Sequence, residues 1–150
     1  MQSCAAMEII PHLVPGKVRS ILASRYFLDV KEDTASMAEA IKKPKRLYPY
    51  ILQIGDSFTI IARGKPFMSA QNSADALLNL FCLHYVFNTQ YSPEVKPSFL
   101  LIQSEVMGLI DSDTASCKNL AIFLKHLELY RNDEVLSESD SDHSIFNESS

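Results

Sequence analysis

Cysteine, histidine and carboxylate side chains are the groups from which a reactive centre could be built, and this chain offers few at useful spacing. Cys82 and His84 lie two apart in NSADALLNLFCLHYVFN, residues 72–88. A zinc site needs four converging ligands, and residues two apart on a helix point to different faces. Neither CxxC nor HxxxH occurs. Cys117 and His126 have the types for a nucleophile and its base. Nine residues on one helix separate them by about 13 Å along its axis, beyond hydrogen-bond reach. Asp111 and Asp113 read as turn and capping residues, with nothing nearby to support paired-carboxylate chemistry. With only 4 Gly and no GxGxxG or P-loop pattern, phosphate-cradling loops are excluded. The expectation is a non-enzymatic chain with no catalytic, cofactor-binding or metal-ligating residues.

Two short segments carry charge chemistry instead. Lys42, Lys43, Lys45 and Arg46 place four cations around Pro44, a pattern suited to nuclear-import receptors or to phosphate contact. A solvated linker explains the same composition. Near the C-terminus, Ser137 and Ser139 each have an acidic residue three positions on, the spacing that acid-directed serine kinases use. Phosphorylation there would add nearly two negative charges per site. Tyr85, Phe87 and Tyr91 have rings that could stack bases, but stacking needs a basic groove beside them, and core packing is the preferred reading.

The element that must organise these groups is the stretch 72–88. Its apolar residues Leu77, Leu78, Leu80, Phe81, Leu83, Tyr85, Val86 and Phe87 do not alternate, so the stretch reads as a buried helix. Asn72 is placed to cap it, Asp75 sits near the positive end of its dipole, and Asn88 with Tyr91-Ser92-Pro93 stops it. Leu77, Leu80, Phe81 and Leu83 are its expected core residues. Ahead of it, Tyr50–Ile54, Phe58–Ala62 and a short strand from Phe67 are separated by Gly55-Asp56-Ser57 and Arg63-Gly64-Lys65-Pro66. That is a three-stranded antiparallel meander needing a helix to cover it.

The remaining segments read as follows. Residues 1–16, broken by Pro11, Pro15 and Gly16, are irregular; 17–28 is an amphipathic helix; Asp29–Asp33 is a charged turn; a short helix ends before Pro44. After the central helix, Ser92-Pro93 starts another, or Pro97 delays its start, with Gly108 as the stop. Leu120, Phe123, Leu124 and Leu127 define a last helix over about 115–130. The expected architecture is α+β: a helical and irregular segment 1–47, a core domain 48–131, and a disordered acidic tail 132–150.

The totals fit that division. Of 150 residues, 47% are hydrophobic, enough for a core. The net charge of −4 conceals an asymmetry: 1–131 hold 14 Lys/Arg against 12 Asp/Glu, whereas 132–150 hold 6 Asp/Glu and no Lys/Arg. A tail of that composition buries too little apolar surface to offset its chain entropy. Three cysteines and no secretory signal or lipidation box point to an intracellular setting, cytoplasmic or nuclear, with free thiols and no membrane association.

Residues 48–107 carry Tyr-Pro-Tyr-Ile-Leu-Gln-Ile-Gly-Asp, Phe-Thr-Ile-Ile, Leu-Leu-Asn-Leu-Phe-Cys-Leu-His-Tyr-Val-Phe-Asn, Tyr-Ser-Pro and Phe-Leu-Leu-Ile-Gln in that order. This order resembles the C-terminal region of uncharacterised vertebrate proteins, abundant in fish, that are like the sterile alpha motif domain-containing protein 3. The resemblance covers about residues 48–128 and centres on His84-Tyr85-Val86-Phe87-Asn88. It supplies no catalytic residues and implies an interaction module, with a protein partner or a second copy of the chain. The alternative reading is a nuclear nucleic-acid-associated factor of a mobile-element-like family, resting on Lys42–Arg46.

Overall fold

The computed structural model describes residues 2–16, 23–42 and 46–141. The class is α+β. Helix α1 (Gln2–Leu13) leads through a 3-10 turn (Ala23–Tyr26) to strand β1 (Leu28–Lys31). Then follow α2 (Met37–Lys42), β2 (Tyr50–Ile54), β3 (Ser57–Ala62), β4 (Lys65–Ala70), α3 (Ser73–Val86), α4 (Lys96–Glu105), α5 (Ser112–Ser116) and α6 (Lys118–Ser141).

The expected meander is present as β2–β3–β4, antiparallel, and local chemistry explains its turns. Gly55 turns between β2 and β3 at φ +56°, and Arg63 and Gly64 turn between β3 and β4 at +52° and +72°. Two successive positive φ values suit the right-handed twist of a tight hairpin. The sheet has a fourth strand, however. β1 pairs parallel to β2, with Leu28 beside Ile51 and Val30 beside Gln53. Asp29–Asp33 is therefore not a turn throughout. β1 is only four residues long, and although Leu28-Asp29-Val30-Lys31 alternates apolar with polar, the buried residues are Leu28 and Asp29 while Val30 is exposed. The strand exists because β2 offers it an edge and α2 supplies the crossover that parallel strands require. The expected boundary at 47/48 consequently runs through one sheet.

Both sheet faces are covered. Leu28, Ile51, Phe58 and Ile60 pack with Met7 of α1, with Ala76, Leu80, Phe81 and Leu83 of α3, and with Phe99 and Ile102 of α4. On the other face Tyr50, Leu52 and Ile61 pack with Ala40 of α2. A further layer joins Leu100 and Leu101 of α4 to Leu120 of α6 and Val14.

The central helix has its expected bounds and cap: the Asn72 Oδ1 accepts the Asp75 N–H at 2.9 Å. Leu80, Phe81 and Leu83 are buried and Leu77 is partly so. α4 takes the delayed start, with Pro97 in its first turn, and Gly108 follows it at φ +67°. Three expectations are corrected. Residues 2–13 are helical, since Pro11 falls in the last turns and the helix is anchored by buried Met7. The acidic segment starts as helix: α6 runs on to Ser141. Its docked half, around Leu120, supplies the costly nucleus, and no Gly or Pro interrupts propagation beyond it. Burial was the wrong criterion, because 128–136 are exposed yet helical. Of the expected tail, 142–150 lies outside the described residues, as does half of the expected helix 17–28, namely 17–22; the described half is not α-helical but holds the 3-10 turn Ala23–Tyr26 and the start of β1.

Candidate interaction surface

The groups with chemistry in them are dispersed. Cys82 is exposed on α3 while His84, two residues on, is buried. Cys117 closes α5, and His126 is exposed on α6. Among the described residues, no three His, Cys, Asp or Glu side chains converge on a metal-sized site. Nor, among them, is any helix long and apolar enough to cross a membrane.

The basic cluster is reduced. Arg46 is buried, and its Nη2 donates to Asp29 Oδ2 at 2.8 Å across the α2 face of the sheet. Its guanidinium lies 4.1 Å from the centroid of the Tyr50 ring. Lys31 Nζ stands 3.4 Å from the other carboxylate oxygen. Arg46 thus neutralises a carboxylate that β1 carries into the interior, and it is withdrawn from any import or phosphate contact. Lys42 is exposed at the end of α2; Lys43 and Lys45 lie outside the described residues. Burial raises the Tyr50 hydroxyl above its ordinary pKa, with Arg46 opposing. Ser137 and Ser139 stand on the backbone of the last turns of α6.

The end of α3 gathers more. Asn88 at φ +47° stops the helix, and the Thr89 N–H bonds back to the His84 carbonyl at 3.0 Å. His84 Nδ1 lies 2.9 Å from Thr89 Oγ1. Its ring sits edge-on to Tyr91 and Phe99, with centroids 4.9 and 5.2 Å away. Nε2 has no hydrogen-bond partner among the described residues. Burial in this aromatic nest therefore lowers the imidazole pKa. Tyr91 stacks flat on Phe99 at 4.6 Å, and its hydroxyl donates to Gln103 Oε1 at 2.8 Å. Gln103 Nε2 donates in turn to Asp111 Oδ2 at 2.9 Å. Asp111 caps α5, accepting from the Thr114 N–H at 2.9 Å, and these bonds hold its carboxyl below the usual range. This chain of polar contacts ties the ends of α3, α4 and α5 together. His84, Tyr91, Gln103 and Asp111, with Lys96 and Asp113, line a polar pocket of about 430 Å³, and their contacts also position the backbone at Thr89–Gln90.

That backbone forms one wall of an apolar cleft of about 530 Å³. Its other walls are Leu47, Tyr48 and Pro49 before β2, Arg63 at the hairpin, Phe67 on β4, and Leu83 and Phe87 of α3. A register shift opposite Ile60/Ile61 leaves Phe67 without a cross-strand partner. Its ring instead meets Phe87 edge-on at 5.7 Å. Phe67 and Phe87 are each about half exposed, at 52% and 56%, and Leu47 is 79% exposed. β4 is an edge strand of the sheet. Compared with family models, curated proteins and solved structures, the chain matches none. No spacing rule in the sequence announces this cleft, because its walls come from four separate segments; the run Tyr85-Val86-Phe87 at the helix end was its one local signal.

Proposed function

We propose that this chain is a non-enzymatic protein-interaction module that binds an extended segment of a partner protein beside β4. The observation that carries this reading is the exposed aromatic pair Phe67–Phe87 at the mouth of an apolar cleft next to an edge strand. An edge strand presents unpaired backbone groups to which a peptide can add, while neighbouring pockets select its side chains. Pro66 lacks an N–H and limits self-pairing of the strand. The peptide would place one apolar side chain between Phe67, Phe87 and Leu47. Half-exposed aromatic rings are the side chains from which interface anchors are most often made. The resemblance to vertebrate proteins like the sterile alpha motif domain-containing protein 3 supports an interaction role of the same kind. The nucleic-acid reading loses Arg46 to the interior, and nothing among the described residues favours it.

Panning the protein against displayed random peptides tests the proposal. Enriched peptides should carry an apolar residue flanked by β-forming ones, and Phe87→Asp or Phe67→Asp should abolish their binding. Failure to enrich any peptide over a control protein, or binding that survives both substitutions, would overturn it.

A further inference from the structure

Helix α6 has a second apolar stripe that its own fold does not bury. Leu120, Phe123 and Leu124 turn toward α4, and Leu127, on the same side, is half-buried. On the roughly opposite side, at about 100° per residue, stand Ile122, Lys125, Leu129, Asp133 and Leu136. These five fall within an arc of about 80°, and Ile122, Leu129 and Leu136 are 57%, 55% and 64% exposed. Lys125 and Asp133 are exposed as well.

The order of these residues is symmetric about Leu129. Lys125 and Asp133 each lie four positions away, in opposite directions; Ile122 and Leu136 each lie seven away. A second copy of the helix, laid antiparallel with a two-fold axis at Leu129, therefore brings Leu129 against Leu129, Lys125 against Asp133 twice, and Ile122 against Leu136 twice. An isologous contact must be self-complementary in this way. A parallel pairing would set Lys125 against Lys125 and Asp133 against Asp133, and like charges at one level repel. The whole helix repeats the asymmetry: 118–131 carry Lys118, Lys125 and Arg131 against Glu128, whereas Asp133 and Glu134 open an acidic stretch without a cation. Because each body is docked to the far side of α6 near its N-terminal half, antiparallel pairing holds the two bodies apart.

We infer that α6 is a homodimerisation helix that pairs antiparallel with a second copy of this chain about Leu129. This contact is separate from the Phe67–Phe87 cleft and stands or falls independently of it.

Sedimentation equilibrium on the full chain, from about 5 to about 500 µM, tests the pairing. A monomer–dimer equilibrium is expected, and Leu129→Glu should return the chain to monomer with an unchanged helical circular dichroism spectrum. Lys125→Asp or Asp133→Lys alone should weaken dimerisation about tenfold or more, by placing like charges at one level. The double exchange, Lys125→Asp with Asp133→Lys, should restore it to within about threefold; this rescue needs no assumption about how well the single variants fold. Phe87→Asp should leave the dimer intact. A wild-type chain that stays monomeric throughout, a dimer indifferent to Leu129→Glu, or a double exchange without rescue would overturn the inference, as would a dimer that Phe87→Asp dissolves.

Discussion

At the residue scale, the buried Arg46–Asp29 pair makes the sharpest demand on the fold. Both side chains are almost fully buried, and beyond the 2.8 Å bond the Arg46 Nε and Nη1 have no hydrogen-bond partner among the described residues. A buried pair contributes little net stability, but removing one member strands the other charge. Arg46→Ala should accordingly cost about 3–5 kcal/mol in urea denaturation, whereas Arg46→Met with Asp29→Leu should recover most of the loss. Neither residue was legible as buried. Asp29 stands in a charged tetrapeptide and Arg46 closes a run of cations, and no local rule joins positions seventeen apart. His84 makes a different demand. Its pKa is lowered by burial, so between the folded pKa and the unfolded value near 6.5 the unfolded chain binds more protons than the native one. Stability then rises with pH through that window and is lost as pH falls below about 6.5. Protonation would put a charge on an imidazole whose Nε2 has no acceptor among the described residues. His84→Gln should flatten the loss of melting temperature between about pH 7 and pH 5, while leaving the decline at more acidic pH, where the Asp111 carboxyl, held below the ordinary carboxylate range by its cap bonds, is in turn protonated.

At the scale of elements, the sequence was informative wherever structure is decided locally. The bounds of α3, its Asn72 cap, the meander and its two turns, and the stop at Gly108 all follow from periodicity and from residues suited to particular φ values. Phe81 shows what that helix contributes: it is buried and meets both Phe99 and Tyr91 edge-on. Phe81→Ala should cost about 3–5 kcal/mol by chemical denaturation. The unread elements are those decided from a distance. β1 needs β2 to be a strand, and α1 needs a groove for Met7. The half of α6 beyond Leu127 needs a nucleus already docked. Another distant constraint sits at Gly16, where an added Cβ would fall on the carbonyl oxygens of Pro93 and Glu94. The Asn119 amide donates to the neighbouring Pro15 carbonyl at 2.7 Å, so the segment leading into α4 and the start of α6 both converge on residues 15–16. Gly16→Ala has to push these backbones apart. Its melting temperature should fall by several degrees, about the change expected for 1–3 kcal/mol of overpacking. A glycine between Pro15 and Lys17 reads in sequence as a loop residue, and only the approach of 93–94 gives it a packing role.

On the scale of the whole molecule, stability and association are assigned to different parts of one helix. Through Leu120, Phe123 and Leu124, α6 closes the layer it forms with Val14, Leu100 and Leu101. From Glu128 to Leu136 every residue is exposed, including Leu129, Tyr130, Val135 and Leu136, at 55–66%. Exposed apolar residues scattered singly need no explanation, but an apolar stripe continued along a projecting helix commonly marks a contact. The two functions are separable by truncation. Ending the chain after Leu127 removes little buried surface, so the melting temperature measured at low micromolar concentration should change by no more than about 2–4 °C. The same truncation deletes Leu129, Asp133 and Leu136 and should abolish self-association, while leaving peptide binding at the Phe67–Phe87 cleft unchanged. At high protein concentration the intact chain should then melt above the truncated one, with a gap that widens as concentration rises, because a dimer that forms only from native chains adds stability by mass action. Equal melting temperatures for the two at every concentration would mean that the second stripe of α6 serves no self-contact. A large drop already at low concentration would mean that its projecting half belongs to the fold of the monomer.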